Sequence, residues 1–191
     1  VGGVQGVHDH PLGFSLFLRP ELAAEEAAAH QVRELGYDIS DVRHIVLTHL
    51  DIDHAGGLPD FPEATVHVHT DEQAFRQSGG FTTNMRQVSE HWAHEPTWAT
   101  YEPDGEPWFG FEAVRQLDGL PPEILLIPLE GHSPGHSGIA IDTDDGWLLH
   151  AGDAFFDQGE IDPDSPNSSF MLRTFQTFLE TDHDSRVHNQ Q

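Results

Sequence analysis

Within six consecutive residues, His49-Leu50-Asp51-Ile52-Asp53-His54, this chain places four side chains able to ligate a metal. Imidazole nitrogens and carboxylate oxygens suit zinc, manganese and iron, and a tight loop can aim positions i, i+2, i+4 and i+5 at one point. The chain has no cysteine, so disulfides and thiolate sites are excluded and any transition metal must be held by His and carboxylates. Two later segments add candidates, Gly131-His132-Ser133-Pro134-Gly135-His136 and Gly152-Asp153. An ion so held would lower the pKa of a bound water toward neutrality and could polarise a carbonyl; the chain is read as lacking a Ser or Cys nucleophile signature such as Gly-x-Ser-x-Gly, so direct attack by water is expected.

The elements that must position these residues are strands ending in loops, because a rigid strand end can aim a variable loop. Arg43 to Thr48 reads as a strand leading into the first motif. Ile124 to Leu129 leads into the second and Trp147 to His150 into the third. Pro20 to Leu35 reads as a helix opened by Pro20, with Glu21, Glu25 and Glu26 near its N-terminus, Gly36 as its C-cap and Ala23, Ala27, Val32 and Leu35 as its buried stripe. Thr65 to His69 alternates as a strand before a helix from Asp71 to Gln77, and Asp144-Asp145-Gly146 joins Ile139-Ala140-Ile141 to Trp147-Leu148-Leu149 as a hairpin turn. Ser78 to Leu117 holds Trp92, Trp98, Tyr101, Trp108, Phe109 and Phe111 with weak periodicity. It reads as a long irregular loop that walls a pocket.

The order His-x-Asp-x-Asp-His-x-Gly-Gly, then Gly-His-Ser-Pro-Gly-His, then Gly-Asp resembles the metallo-β-lactamase-fold hydrolases, nearest the acyl-homoserine-lactone lactonases and glyoxalase II type thioesterases. The likeness runs from about Leu12 to the C-terminus. It implies an αβ/βα four-layer sandwich as one domain over residues 1–191, with two divalent metal ions at one edge, zinc first and manganese or iron as alternatives. By position, His49, Asp51 and His132 would hold the first ion, Asp53 and His54 the second, and Asp153 would bridge them. Asp53 is also expected to pass a proton to the leaving group.

Three departures qualify the resemblance. Asp51 stands where the pattern has His, which makes the first site harder. Phe156 stands where the lactonases carry a tyrosine that holds the substrate carbonyl, and phenylalanine has no donor. The opening strands with their Asp-Thr-Gly loop and the closing strand with its last metal-binding His are not found, so a chain clipped at both ends is expected. His183 and His188 follow no strand and are not assigned to the metal.

The remaining histidines divide. His67 and His69 share one strand face and read as structural, as does His150, whereas His136 reads as a residue that orients the His132 loop by hydrogen bonding. His94, within Trp92-Ala93-His94, is expected to face substrate; with Trp92 and Phe156 it points to a small molecule with an apolar acyl part.

A formal charge of −25, with 33 acidic residues against eight arginines and no lysine, repels phosphate backbones and anionic lipid. Nucleic-acid and membrane partners are thereby disfavoured. No apolar run approaches the ~20 residues of a membrane helix and no signal-peptide pattern is present, so a cytoplasmic location is expected. Oligomeric state is not indicated. The leading expectation is a metal-dependent hydrolase of an ester, thioester or lactone; an iron-dependent oxygenase of the same fold and a degenerate metal-binding module are the alternatives.

Crowded carboxylates repel, and salt screens them. The melting temperature should therefore rise between dilute buffer and molar salt, as read by calorimetry. An unchanged or lower value in salt would remove the salt-adapted reading of the charge.

Overall fold

The computed structural model describes residues 23–162 and 164–190. Their elements run α1 (Ala28–Glu34), β1 (His44–Val46), α2 (Ile52–Ala55), β2 (Thr65–His69), α3 (Thr70–Ser78), α4 (Phe81–Arg86), β3 (Thr97–Tyr101), β4 (Glu106–Trp108), β5 (Phe111–Gln116), β6 (Ile124–Pro128), β7 (Ser137–Thr143), β8 (Gly146–His150), α5 (Phe170–Leu179) and α6 (His183–Asn189), with short 3-10 turns between them. They cluster into two compact units. One takes the described residues up to His67 with Arg76–Ala99; the other takes Val68–Phe75 and the described residues from Thr100 onward. No helix among the described residues is long and apolar enough to cross a membrane.

In the first unit β1 and β2 pair in parallel, Ile45 opposite Val66, and Leu47 extends the pairing by donating to the His67 carbonyl at 3.0 Å. The helix expected from Pro20 to Leu35 is shorter and broken; Pro20 and Glu21 lie outside the described residues. Ala24–Glu26 is a 3-10 turn, Ala27 is extended, and α1 follows. Ala27 and Ala29 are both buried, yet two positions so spaced would stand about 200° apart on one helix, and the extended residue lets both face inward. Ala29 packs with Phe61 and Ala64, backed by Val32, Ile39, Val42 and Ile45. Gly36 takes φ +87° and donates to the Arg33 carbonyl while Tyr37 donates to Val32, the paired closure of a helix by a left-handed glycine. The helix ends at Glu34, which leaves Leu35 beyond the last turn and 74% exposed rather than in the stripe.

In the second unit β4 to β8 form an antiparallel sheet in sequence order. The expected hairpin is present, Thr143 opposite Gly146 across Asp144-Asp145, with Gly146 at φ +112°. Ile127 and Ala140, both at 0% exposure, centre a core with Val114, Leu125, Leu129 and Ala154. The segment expected to be irregular, Ser78 to Leu117, instead carries α4 and β3 to β5. Its weak periodicity has a physical origin: the β4–β5 pairing shifts register between Glu106 and Trp108, and Phe109, Gly110 and Ala113 all take positive φ, which breaks the two-residue alternation.

Gly131, at φ +129°, meets the Arg186 backbone so closely that a Cβ would lie 2.4 Å from its nitrogen. Its carbonyl accepts from the Thr181 and Asp182 amides at 2.7 and 3.1 Å. Gly131→Ala should cost about 3 kcal/mol or more in denaturant unfolding. Gly36→Ala, where nothing lies within 4 Å, should cost only about 1 kcal/mol. Equal losses would contradict the packing account.

Candidate metal centre

The first motif begins where β1 ends. Leu50, Ile52 and Ala55 are buried and anchor the loop, and the Asp51 carbonyl accepts from the His54 and Ala55 amides at 2.9 Å each to start α2. His49 is fully buried. Thr48 Oγ1 lies 2.9 Å from His49 Nδ1 and 3.4 Å from His54 Nδ1, and the two rings stand 4.0 Å apart at 41°. A hydroxyl oxygen has two lone pairs and can accept from both rings; with each Nδ1 carrying the proton and donating to Thr48, Nε2 is the atom each imidazole would offer a metal. His54 Nε2 lies 3.7 Å from Asp53 Oδ2, and the Asp53 side chain is 44% exposed.

His49 Nε2 lies 3.5 Å from Asp51 Oδ2. The Asp51 carboxylate, however, is also gripped by Arg86: Nε donates to Oδ1 and Oδ2 at 3.0 Å, and Nη2 to Oδ2 at 2.7 Å. Both residues are buried. Sequence reasoning missed Arg86, which lies 35 residues from its partner in the segment read as irregular.

In the second unit the loop after β6 holds His132 and the turn after β8 holds Asp153. His132 Nε2 lies 3.4 Å from Asp153 Oδ2, and both loops are tied by His136. Its Nε2 accepts from the Asp153 amide at 2.9 Å, so its Nδ1 carries the proton and donates to the Leu129 carbonyl at 2.8 Å. The orienting role read for His136 is the one these bonds serve. Glu72, fully buried, accepts from the Ser133 hydroxyl at 2.6 Å and the Gly135 amide at 3.2 Å. Gly131-His132-Ser133-Pro134-Gly135 has the Gly-x-Ser-x-Gly spacing of a serine nucleophile, which corrects the expectation that this signature is absent. Ser133, with no exposure and its hydroxyl given to a carboxylate, is instead a clasp of the loop. Helix α6 adds to it: Asn189 donates to the Glu130 carbonyl at 2.8 Å and Gln190 to that of Ala154 at 2.6 Å.

The donor set fits a transition metal. Two ligand atoms each about 2.1 Å from an ion in tetrahedral array stand about 3.4 Å apart, the separation of His132 Nε2 and Asp153 Oδ2. An imidazole with a carboxylate makes a pair of nitrogen and oxygen donors of the kind zinc takes.

The expected substrate residues have other surroundings as well. Phe156 stacks edge-on to His132 at 5.7 Å and lies 6.0 Å from Phe175. Trp92 and Trp98 bracket the Arg76 guanidinium at 5.4 and 5.3 Å. Neither ring nitrogen of His94 has a hydrogen bond although both are covered, and desolvation lowers its pKa below the ordinary 6.5. His67, fully buried, faces His44 Nδ1 at 2.9 Å, and His69 Nδ1 accepts from the Asp71 amide at 3.2 Å, as structural histidines do. His183 pairs with Glu180 at 2.8 Å on α6.

Residues 18–187 match the metallo-beta-lactamase superfamily. A protein named "probable metallo-hydrolase" from Mycobacterium tuberculosis is 44% identical over 150 residues, 78% of this chain and 48% of that protein. An N-acyl homoserine lactonase from a Bacillus species is 24% identical over 152 residues, 79% of this chain and 54% of that one. This chain thus spans about half the length of the curated relatives it matches. Among solved structures, an N-acyl homoserine lactone hydrolase with the product N-hexanoyl-L-homoserine at its catalytic metal centre superposes with a TM-score of 0.66 at 21% identity, covering 90% of this chain and 57% of that chain. Such a likeness shows a shared fold.

Because His94 is held neutral by burial, the unfolded chain binds its proton more readily between the lowered folded pKa and about 6.5, and stability falls as pH drops through that window. Denaturant unfolding at pH 7.5 and 5.5 should show a smaller loss on acidification for His94→Gln than for the wild type. An identical loss would contradict the desolvation of His94.

Proposed function

We propose, from the premise that this chain belongs to the metallo-β-lactamase superfamily, that it is a metal-dependent hydrolase of an ester-type bond, with His49 and His54 in the first unit and His132 and Asp153 in the second as its metal ligands. The observation that carries this is the His132–Asp153 pair, set at ligand-to-ligand spacing by His136. A bound divalent ion, zinc first among candidates, would supply carbonyl polarisation and a hydroxide at neutral pH.

The chain's own residues do the rest. Thr48 and His136 hold the ligand-bearing loops so that little ordering remains on binding. Asp53, partly exposed beside His54, accepts the proton of the attacking water and delivers it to the leaving oxygen or sulfur. Asp53 and His54 are the further ligands where a second ion is held. Phe156, against His132, together with Trp92 and His94, receives an apolar acyl portion. Phe156 lacks a hydroxyl, so the substrate carbonyl must be polarised by the ion or a backbone amide. The named functions of the lactonase relatives support an ester or lactone substrate.

Metal content per chain, measured by mass spectrometry after dialysis, should drop severalfold in His132→Ala and Asp53→Ala and stay unchanged in His183→Ala, the exposed α6 histidine. Hydrolysis of a panel of lactones, aryl esters and thioesters should fall in the first two alone. Equal metal loss in all three, or none in His132→Ala, would overturn the assignment.

A further inference from the structure

The Asp51 carboxylate would be an obvious ligand were it not for its partner. Arg86 Nε donates to both carboxylate oxygens at 3.0 Å, and Oδ2, the oxygen facing His49 Nε2 at 3.5 Å, is also taken by Nη2 at 2.7 Å. Asp51 and Arg86 are 6% and 4% exposed. An ion that took Asp51 as a ligand would break this buried ion pair and would itself lie beside the guanidinium. Breaking such a pair weakens the competing interaction by roughly a hundredfold or more.

We propose that Arg86 withdraws Asp51 from the metal's ligand set, so that histidine nitrogens weigh more in it, and that this withdrawal sets a preference for zinc over manganese. The inference rests on the metal site proposed above and goes further by fixing its donor chemistry. With Asp51 ligating, the site would hold two carboxylates and suit a hard ion. With Asp51 neutralised by Arg86, one hard carboxylate drops out of the candidate donors and the histidine nitrogens weigh more, which is the chemistry that favours zinc over manganese. Arg86 is thus a positioning residue acting through Asp51. It also steadies the loop, since the Asp51 carbonyl begins the helix that carries Asp53 and His54.

The test is competitive titration of the metal-free chain with zinc and with manganese against a chelator of known affinity. Three variants are compared with wild type: Asp51→Asn/Arg86→Gln, Arg86→Met and His132→Ala. The double variant replaces the ion pair by neutral amides and should bind zinc within about threefold of wild type, whereas His132→Ala should bind it at least about a hundredfold more weakly. Arg86→Met releases Asp51 and should tighten manganese binding about tenfold relative to zinc. A double variant that loses zinc as severely as His132→Ala would show Asp51 to be a ligand and overturn the proposal. So would a folded Arg86→Met with an unchanged zinc-to-manganese ratio. If Arg86→Met does not fold, the double variant decides alone. Undiminished zinc binding in His132→Ala, or none in wild type, is a distinct pattern that overturns the metal reading and the inference with it.

Discussion

One imidazole holds the two loops that carry His132 and Asp153 in register. His136 accepts from the Asp153 amide and donates to the Leu129 carbonyl, which ties the end of β6 to the turn after β8. Without that tie, His132 and Asp153 would sit on two loops ordered separately, each losing conformational freedom before any ligand arrived. Because an amide can only donate, the bond fixes which ring nitrogen of His136 carries the proton. Glu72 below the loop and α6 beyond it close the remaining freedom, and the two glycines of the motif, Gly131 and Gly135, admit the Arg186 and Glu72 backbones at distances a Cβ forbids.

The first unit solves the same problem with charge. Amid 33 acidic side chains, a cluster of His49, Asp51, Asp53 and His54 would carry uncompensated negative charge into a buried loop, which is costly. The Arg86 guanidinium neutralises Asp51 in place, through a fork that matches a carboxylate's geometry. Thr48 completes the arrangement by serving both histidines with one hydroxyl. In both units a residue that is not itself a ligand candidate holds the ligand candidates in place.

What was legible in the sequence were features encoded locally. The β1, β2, β6, β7 and β8 strands, the Asp144-Asp145 turn and the Gly36 cap each follow from a short run of residues whose spacing carries the signal. The motif residues placed themselves by lying just past those strands. Partnerships between distant residues were not legible: Arg86 with Asp51 and Glu72 with Ser133 pair across 35 and 61 positions, and nothing in either local pattern marks them. The β4–β5 hairpin was missed for a different reason. Positive φ at Phe109 and Ala113, residue types that rarely adopt it, hides the alternation from any reading of periodicity. The helix through Ala27 failed because Ala27 and Ala29, on opposite sides of one helix, are both buried, Ala29 against Phe61 and Ala64 far along the chain.

The central claim is that His132 ligates while His136 only orients. Nitrogen-15 NMR of the histidine rings during zinc addition tests it most directly. The account predicts that Nε2 of His132 and of His49 shifts on metal binding while His136 keeps its Nδ1-protonated form and its shifts. A zinc-dependent change at His136 Nε2, or an unmoved His132, would contradict it.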